Sequence, residues 1–208
     1  MPTAREFWDR RARVYDAQVC GLYAEAYRKT TEGFLRYLRP EDTVLDFACG
    51  TGNVTLTVAP AVKCIRGIDI SEEMVRRAQA KACAQSVQNA TFTQLDIFDE
   101  SLVLESFDVV MACNVLLYLE DRAEVLARIR ALLKSGGRFL SVSDCLGENW
   151  TRERVRKWVE YKTGRRPYVA FDTMASLEAE VAAAGFAVLE RENLFPAPPN
   201  LFLAARKK

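Results

Sequence analysis

The sequence predicts an α/β fold: a doubly wound, mostly parallel seven-stranded sheet with an antiparallel C-terminal hairpin strand, and N-terminal helices as a cap. Three observations carry this. Between Thr43 and Ser143, short apolar strands alternate with helical segments through short loops, the pattern of a parallel sheet covered on both faces. Phe107 to Cys113 is a continuous apolar run, as expected of a strand buried on both sides. Two late strand-like runs flank a Pro-rich turn, which predicts an antiparallel pair at one sheet edge.

Each element has its own signal. Ala4 to Asp16 and Tyr23 to Leu38 read as amphipathic helices, with Phe7, Trp8, Val14 and Tyr15, then Leu22, Tyr27, Phe34, Leu35 and Leu38, at helical spacing. Pro40 closes the second. Thr43 to Phe47 is a short buried strand, and Asn53 to Ala59 a short helix ended by Pro60. Val62 to Asp69 is the second strand. Ser71 is an N-cap, and Glu72 and Glu73 complement the positive start of a helix running to about Gln85. Thr91 to Leu95 and Phe107 to Cys113 are strands, and Asp121 caps a helix to Leu133. Ser135-Gly136-Gly137 is a turn into the strand Arg138 to Ser143. Trp150 to Tyr161 and Thr173 to Ala184 are helical. Phe186 to Arg191 and Leu201 to Ala205 are the final strands, separated by Pro196, Pro198 and Pro199.

The composition narrows the function. The 208 residues are 50% hydrophobic and 27% charged, with 29 basic against 28 acidic side chains, ordinary values for one globular domain. A net charge of +1 gives no whole-molecule attraction for nucleic acid. No apolar run reaches the ~20 residues of a membrane helix, and the charged start MPTAREFWDRRARVYD lacks a signal-peptide h-region. Cys20, Cys49, Cys64, Cys83, Cys113 and Cys145 contain no CxxC pair and are expected as reduced thiols in a cytoplasmic protein. There is no histidine. That excludes Ser-His-Asp and Cys-His machinery, histidine-ligated zinc and any imidazole base. No metal is expected.

The strongest chemical signal is the strand end and loop Asp46-Phe47-Ala48-Cys49-Gly50-Thr51-Gly52. Ligands of open α/β sheets bind beyond the carboxyl ends of the strands. Asp69 ends the next strand, 17 residues after Gly52, and Asp96 follows the third. A nicotinamide-dinucleotide site would want GxGxxG, but Thr55 holds the third glycine position. Asp46 would also repel a pyrophosphate. A carboxylate there suits a ligand with an ammonium group, such as S-adenosyl-L-methionine. The structural alternative is that Asp46 and the glycines only shape a turn.

VLDFACGTGNVT (Val44 to Thr55), GIDISEEMV (Gly67 to Val75) and QLDIFD (Gln94 to Asp99) resemble successive motifs of the class I S-adenosylmethionine-dependent methyltransferases. FDVVMACNVLLYLED (Phe107 to Asp121) and LLKSGGRFLSVS (Leu132 to Ser143) resemble that family's fourth and fifth strands. The resemblance implies a Rossmann-like methyltransferase fold and S-adenosyl-L-methionine as cofactor. It implies that Asp46, Ala48 and the Gly50–Gly52 loop hold the methionine end and that Asp69 takes the ribose hydroxyls. Ile70, Met74 and Ile97 would line the adenine, Asp96 would accept from its amino group, and Asn114 would give backbone contacts near the sulfonium. Tyr15 would belong to a lid over the cofactor; its structural alternative is a core tyrosine. Ala48 stands where the family more often has glycine. Many members have histidine after the fourth strand, where this chain has Asn114-Val115-Leu116-Leu117-Tyr118.

The chain is then one domain, 1–208: a helical cap or lid (1–39), a cofactor-binding core (40–145), an acceptor-side insertion (146–172), and the last helix and hairpin (173–208). Trp150 to Arg166 carries seven basic and two acidic residues, net +5. This reads either as recognition of an anionic acceptor or as a solvated helix face. Trp150, Trp158, Tyr161, Tyr168 and Phe171 are candidates for an apolar acceptor wall. Cys49, Cys113 and Cys145 lie at strand ends and read as buried packing residues, with soft-metal or arsenic chemistry the sharper alternative. The expected function is methyl transfer to a small-molecule acceptor by in-line displacement. No catalytic residue is identified, and the partners expected are a small molecule, with neither membrane nor nucleic acid. The alternative of a different class is a non-catalytic, cofactor-binding regulatory or partner subunit.

Overall fold

The computed structural model describes residues 2–21 and 23–208, without the side chain of Cys20. Leu22, expected on the second helix, lies outside the described residues. The chain forms α1 (Ala4–Cys20), α2 (Ala24–Leu35), β1 (Thr43–Phe47), α3 (Asn53–Val58), β2 (Cys64–Asp69), α4 (Glu72–Ala84), β3 (Ala90–Gln94), β4 (Phe107–Cys113), α5 (Arg122–Leu132), β5 (Leu133–Asp144), α6 (Arg152–Lys162), α7 (Met174–Ala183), β6 (Phe186–Pro196) and β7 (Pro199–Lys207). The seven strands form one sheet in the order β3-β2-β1-β4-β5-β7-β6. β1 to β5 pair in parallel, and β7 enters antiparallel between β5 and β6.

Strand alternation builds two cores. Leu45, Val110, Ala112, Phe139 and Leu203 face α5 and α7, where Val125, Leu126, Ile129, Leu177 and Val181 pack against them. Val44, Val109, Met111, Leu140 and Phe202 face the opposite way, against Phe34, Val54, Leu56, Val75 and Ala78 from α2, α3 and α4. Both faces of β4 are covered, as its uninterrupted apolar run requires. Arg122, at the start of α5, is buried and grips Asp172 and Glu180, tying α5 to α7. Among the described residues no helix is long and apolar enough to cross a membrane.

Several boundaries differ from the sequence expectation for local reasons. α1 runs to Cys20 and starts with a capping box the sequence reading missed: Thr3 Oγ1 accepts from Glu6 N, and Glu6 returns a bond to Thr3 N. α2 stops at Leu35 rather than Leu38, where the carbonyl of Tyr37 is taken by the Arg138 guanidinium. β2 starts at Cys64 because Val62 N and Lys63 N bond Ala59 and Asp42 carbonyls instead of a neighbouring strand. Pro60 sits in a 3-10 turn that continues α3. Ser135-Gly136-Gly137 is not a turn before β5 but a bulge within it. The β4 partner shifts from Leu133 at Phe107 to Arg138 at Val109, and Gly136 takes φ 70°.

Candidate functional site

The carboxyl ends of β1, β2, β4 and β5 open onto three adjoining spaces beneath the N-terminal helices. The first is a niche of about 20 Å³ around Asp46, lined by Tyr15, Tyr27, Cys49 and Asn53. The second is a cleft of about 170 Å³, in which Asp69, Ile70, Met74, Asp96, Ile97 and Asn114 converge from β2, α4 and the loops after β3 and β4. The third is a chamber of about 620 Å³ between α1, α2, α6 and the β6–β7 turn. Tyr15 lines all three. Trp8, Asn114 and Tyr118 line both cleft and chamber. They belong to the wall that the two spaces share, termed the doorway, with Trp8 and Tyr118 edge to face at 5.1 Å and Trp8 and Tyr15 at 6.5 Å.

Ten of the eleven residues expected at the site line the niche or the cleft: Tyr15, Asp46, Ala48, Gly50, Asp69, Ile70, Met74, Asp96, Ile97 and Asn114. Gly52 does not. It turns the chain into α3 at φ 77°, and a Cβ there would meet Ala78 and Phe92 at 3.0 Å. Glycine there lets the loop pack closely on α4 and β3. Ala48 and Asn114 also have positive φ, 57° and 52°. The loop after β1 thus keeps the left-handed backbone that glycine would adopt freely, with a methyl group in its place.

The acids are arranged by the backbone. Asp69 Oδ2 accepts from Gly50 N and Oδ1 from Ser71 N, both at 2.9 Å. Asp46 is fully enclosed. Its Oδ2 takes the Thr55 hydroxyl at 2.5 Å, and its Oδ1 has no partner among the described residues. Burial pushes the Asp46 carboxyl up to about 7, with Thr55 opposing and Asp69 adding to the rise. Burial also pushes Asp69 up to about 6, against the pull of the Ser71 and Gly50 amides. An orphaned buried carboxylate oxygen is costly unless something cationic meets it. The niche therefore fits the ammonium group of S-adenosyl-L-methionine, and the cleft offers apolar walls and strand-end acids for a nucleoside. Asp96 accepts from Phe98 N and is otherwise exposed at the cleft edge.

Asp9, which the sequence reading did not single out, and Asp16, the acid of the Tyr15-Asp16 pair expected in the lid helix, pin α1 over the turns after β2 and β1. Asp9 accepts from Ser71 Oγ at 2.5 Å. Asp16 accepts from Thr51 Oγ1 at 2.5 Å, Asn53 Nδ2 at 3.0 Å and Lys81 Nζ at 2.9 Å. Burial opposes its charge, but these partners outweigh it and lower its pKa. Tyr15 is held one residue earlier, its hydroxyl 2.6 Å from that of Tyr27. Burial raises its pKa strongly, so it is a neutral phenol.

The acceptor-side insertion divides. Arg166 and Lys157 are buried and line the chamber, whereas Arg165 is exposed and outside it. The expected aromatic wall is mostly elsewhere. Trp150 stands at the chamber mouth under Arg154, and Trp158 is half exposed. Tyr161 and Phe171 pack around Leu117, Leu146 and Val169, with Tyr168 against Tyr161. The chamber takes its rings from Trp8, Tyr15, Tyr23, Tyr27, Tyr118 and Phe195. The thiols of Cys49 and Cys113 are enclosed, and burial raises both pKa values. Among the described residues no cluster of acids and thiols has metal-ligand geometry.

Comparison with known proteins agrees with this geometry. Residues 38–184 match the model of a family described as methyltransferase domain. The chain is 34% identical over 143 residues to a demethylmenaquinone methyltransferase of Symbiobacterium thermophilum, covering 65% of this chain and 57% of that protein. It is 34% identical over 155 residues to a 27-O-demethylrifamycin SV methyltransferase of Amycolatopsis mediterranei, covering 70% and 57%. The chain thus spans little more than half the length of these relatives. A solved phosphoethanolamine N-methyltransferase 2 of Haemonchus contortus, in complex with S-adenosylhomocysteine, superposes with a TM-score of 0.77 at 17% identity, over all of this chain and 60% of that one. The chain belongs to the class I S-adenosylmethionine-dependent methyltransferases.

Proposed function

We propose that the chain transfers a methyl group from S-adenosyl-L-methionine to a small-molecule acceptor by in-line displacement. The observation that carries this is the doorway. Trp8, Tyr15, Asn114 and Tyr118 are common walls of the nucleoside-sized cleft and of a larger chamber beyond it. A protein that only binds the cofactor has no need of the second space, so the chamber favours the catalytic reading over the regulatory one. The small-molecule acceptors named for the demethylmenaquinone and demethylrifamycin relatives support the same substrate class.

The cofactor supplies a methyl group activated by a sulfonium. The chain's residues bind and orient it. Asp46, Ala48 and Gly50 hold the methionine end, Asp69 the ribose, and Ile70, Met74, Ile97 and Asp96 the adenine. Asn114 faces the doorway, and Trp8, Tyr15 and Tyr118 keep water from the reacting atoms. Positioning and a dry site are then the main sources of rate. Asp144 and Glu153 in the chamber are ion-paired with Lys157, and there is no histidine. The acceptor is therefore one that needs little help in losing a proton, and five basic against two acidic chamber side chains favour an anionic one.

The experiment is a screen with methyl-labelled cofactor against fractionated small-molecule pools. Label moving into a small molecule, together with S-adenosylhomocysteine formation, supports the reading. Tight cofactor binding with no transfer to any fraction favours the regulatory alternative.

A further inference from the structure

The chamber wall beside the doorway holds two buried cations. Arg166 lies between two rings, its guanidinium carbon 4.9 Å from the Phe7 centroid and 5.4 Å from that of Tyr118. Its Nε donates to Glu160 at 2.9 Å, and its Nη1 has no partner among the described residues. Lys157 Nζ lies 5.6 Å from the same Tyr118 ring and pairs with Asp144 at 3.0 Å and Glu153 at 3.4 Å. Burial opposes the charge on Lys157, but Tyr118, Asp144 and Glu153 hold it protonated. The other ionisable groups facing this corner are Arg156, which shares Glu153 and Glu160, and Tyr23, Arg152 and Arg11 on the chamber rim. Glu160 is divided between Arg156 and Arg166, so among the described residues of this corner no carboxylate is spare.

A guanidinium nitrogen buried without an acceptor is costly, and the group cannot escape by losing its proton. Its natural complement is an anionic oxygen. Both cations flank Tyr118, a doorway residue, so the anion they attract is delivered to where the methyl group is passed. The surrounding walls are aromatic.

We propose that the acceptor meets the doorway as an oxyanion, a phenolate-like or carboxylate oxygen on a largely apolar body, stabilised by Arg166 and Lys157. This rests on the methyltransferase reading and assigns the nucleophile within it. In the transfer, a lone pair of the oxyanion forms the oxygen–carbon bond as the methyl carbon–sulfur bond breaks, and that bond's electron pair goes to sulfur. The negative and positive charges cancel and no proton moves. Such a reaction needs no general base and gains from exclusion of water, which suits a chain with no histidine and a chamber whose described acids, Asp144 and Glu153, are both ion-paired.

The test uses 4-nitrophenol as probe, because its phenol and phenolate absorb at different wavelengths. The probe is titrated on the whole protein with S-adenosylhomocysteine present, and the bound absorbance is followed against pH. The expected result is a bound pKa lower than the free one by about one unit or more, the scale of a nearby opposite charge. Arg166→Met is expected to abolish most of the shift, Arg166→Lys to retain part of it, and Arg165→Glu, on the exposed neighbour, to leave it unchanged. The unsubstituted protein alone decides the matter if Arg166→Met does not fold. A bound probe with an unshifted or raised pKa, or no uptake of the probe, overturns the oxyanion assignment. S-adenosylhomocysteine binding in the same titration separates the failures: binding with an unshifted probe removes this inference only, and no binding removes the methyltransferase reading with it.

Discussion

The Asp69 carboxylate accepts the backbone amide of Gly50 at 2.9 Å, so the acid that ends β2 also shapes the loop that leaves β1. Its other oxygen caps the turn into α4 through Ser71 N. One side chain thus fixes the two strand ends between which the ligand is proposed to lie. Asp69→Ala is expected to weaken S-adenosylhomocysteine binding by about 2–3 kcal/mol, the scale of lost charge-assisted hydrogen bonds, while the fold survives. Calorimetry on the folded variant checks this, and an unchanged affinity would show that Asp69 does not hold the ribose.

The pH dependence has a definite sign. Asp46 and Asp69 titrate at about 7 and about 6 in the folded protein, above the ordinary 3.8. The folded chain therefore holds more protons than the unfolded one between about pH 4 and 7, and the contribution of these two groups to stability falls as pH rises through that window. Asp46→Asn is expected to stabilise the ligand-free protein at about pH 8 by on the order of 3 kcal/mol. Thermal melts from about pH 5 to 8 measure this, and a parental melting profile in the variant would contradict it.

A cationic ligand group beside Asp46 favours the ionised carboxylate, so cofactor binding near neutral pH should release protons, and affinity should fall on acidification. Calorimetry in buffers of different ionisation enthalpy counts those protons. Affinity that is flat between about pH 5.5 and 8 would mean that no ligand cation meets Asp46.

Asp16 ties α1 to Thr51 in the loop after β1, Asn53 at the start of α3 and Lys81 on α4. Asp16→Ala should raise amide exchange across 11–19 and speed S-adenosylhomocysteine release, since segments that admit ligand belong to the less stable part of a fold. Unchanged exchange in the variant, with and without the ligand, would show that α1 is a fixed wall and not a lid.

The loop backbone offers a paired test. Ala48→Gly removes a side chain from a left-handed position, φ 57°, and should leave stability within about 1 kcal/mol of the parent. Gly52→Ala adds a methyl group at φ 77°, 3.0 Å from Ala78 and Phe92, and should cost about 2–4 kcal/mol through overpacking and strain. Chemical denaturation of the two variants compares them directly.

The sheet was legible because strand burial writes itself into composition. The apolar run of β4 and the acids after β1, β2 and β3 needed no tertiary information. The register bulge in β5 was not legible, because Ser135-Gly136-Gly137 carries the same signal for a turn between elements as for a bulge within one. Eight of the ten expected residues that line the niche or cleft lie at strand ends or on the loops after them, which converge wherever parallel strands pair; Tyr15 on α1 and Met74 on α4 are brought there by helix packing. Gly52 stands apart from the other ten: close packing on Ala78 and Phe92 calls for a glycine there, and in sequence that demand looks the same as close approach of a ligand. Asp9, Trp8 and Tyr118 were not singled out because their partners lie far away in the chain. The basic segment was half legible: its charge count could not tell buried Arg166 from exposed Arg165.

The central claim is that these strand ends bind S-adenosyl-L-methionine and not a nicotinamide dinucleotide. The most direct measurement is calorimetry of the chain with S-adenosylhomocysteine and, separately, with NAD. Saturable binding of S-adenosylhomocysteine and none of NAD under the same conditions is the expected result. NAD binding tighter than S-adenosylhomocysteine would contradict it.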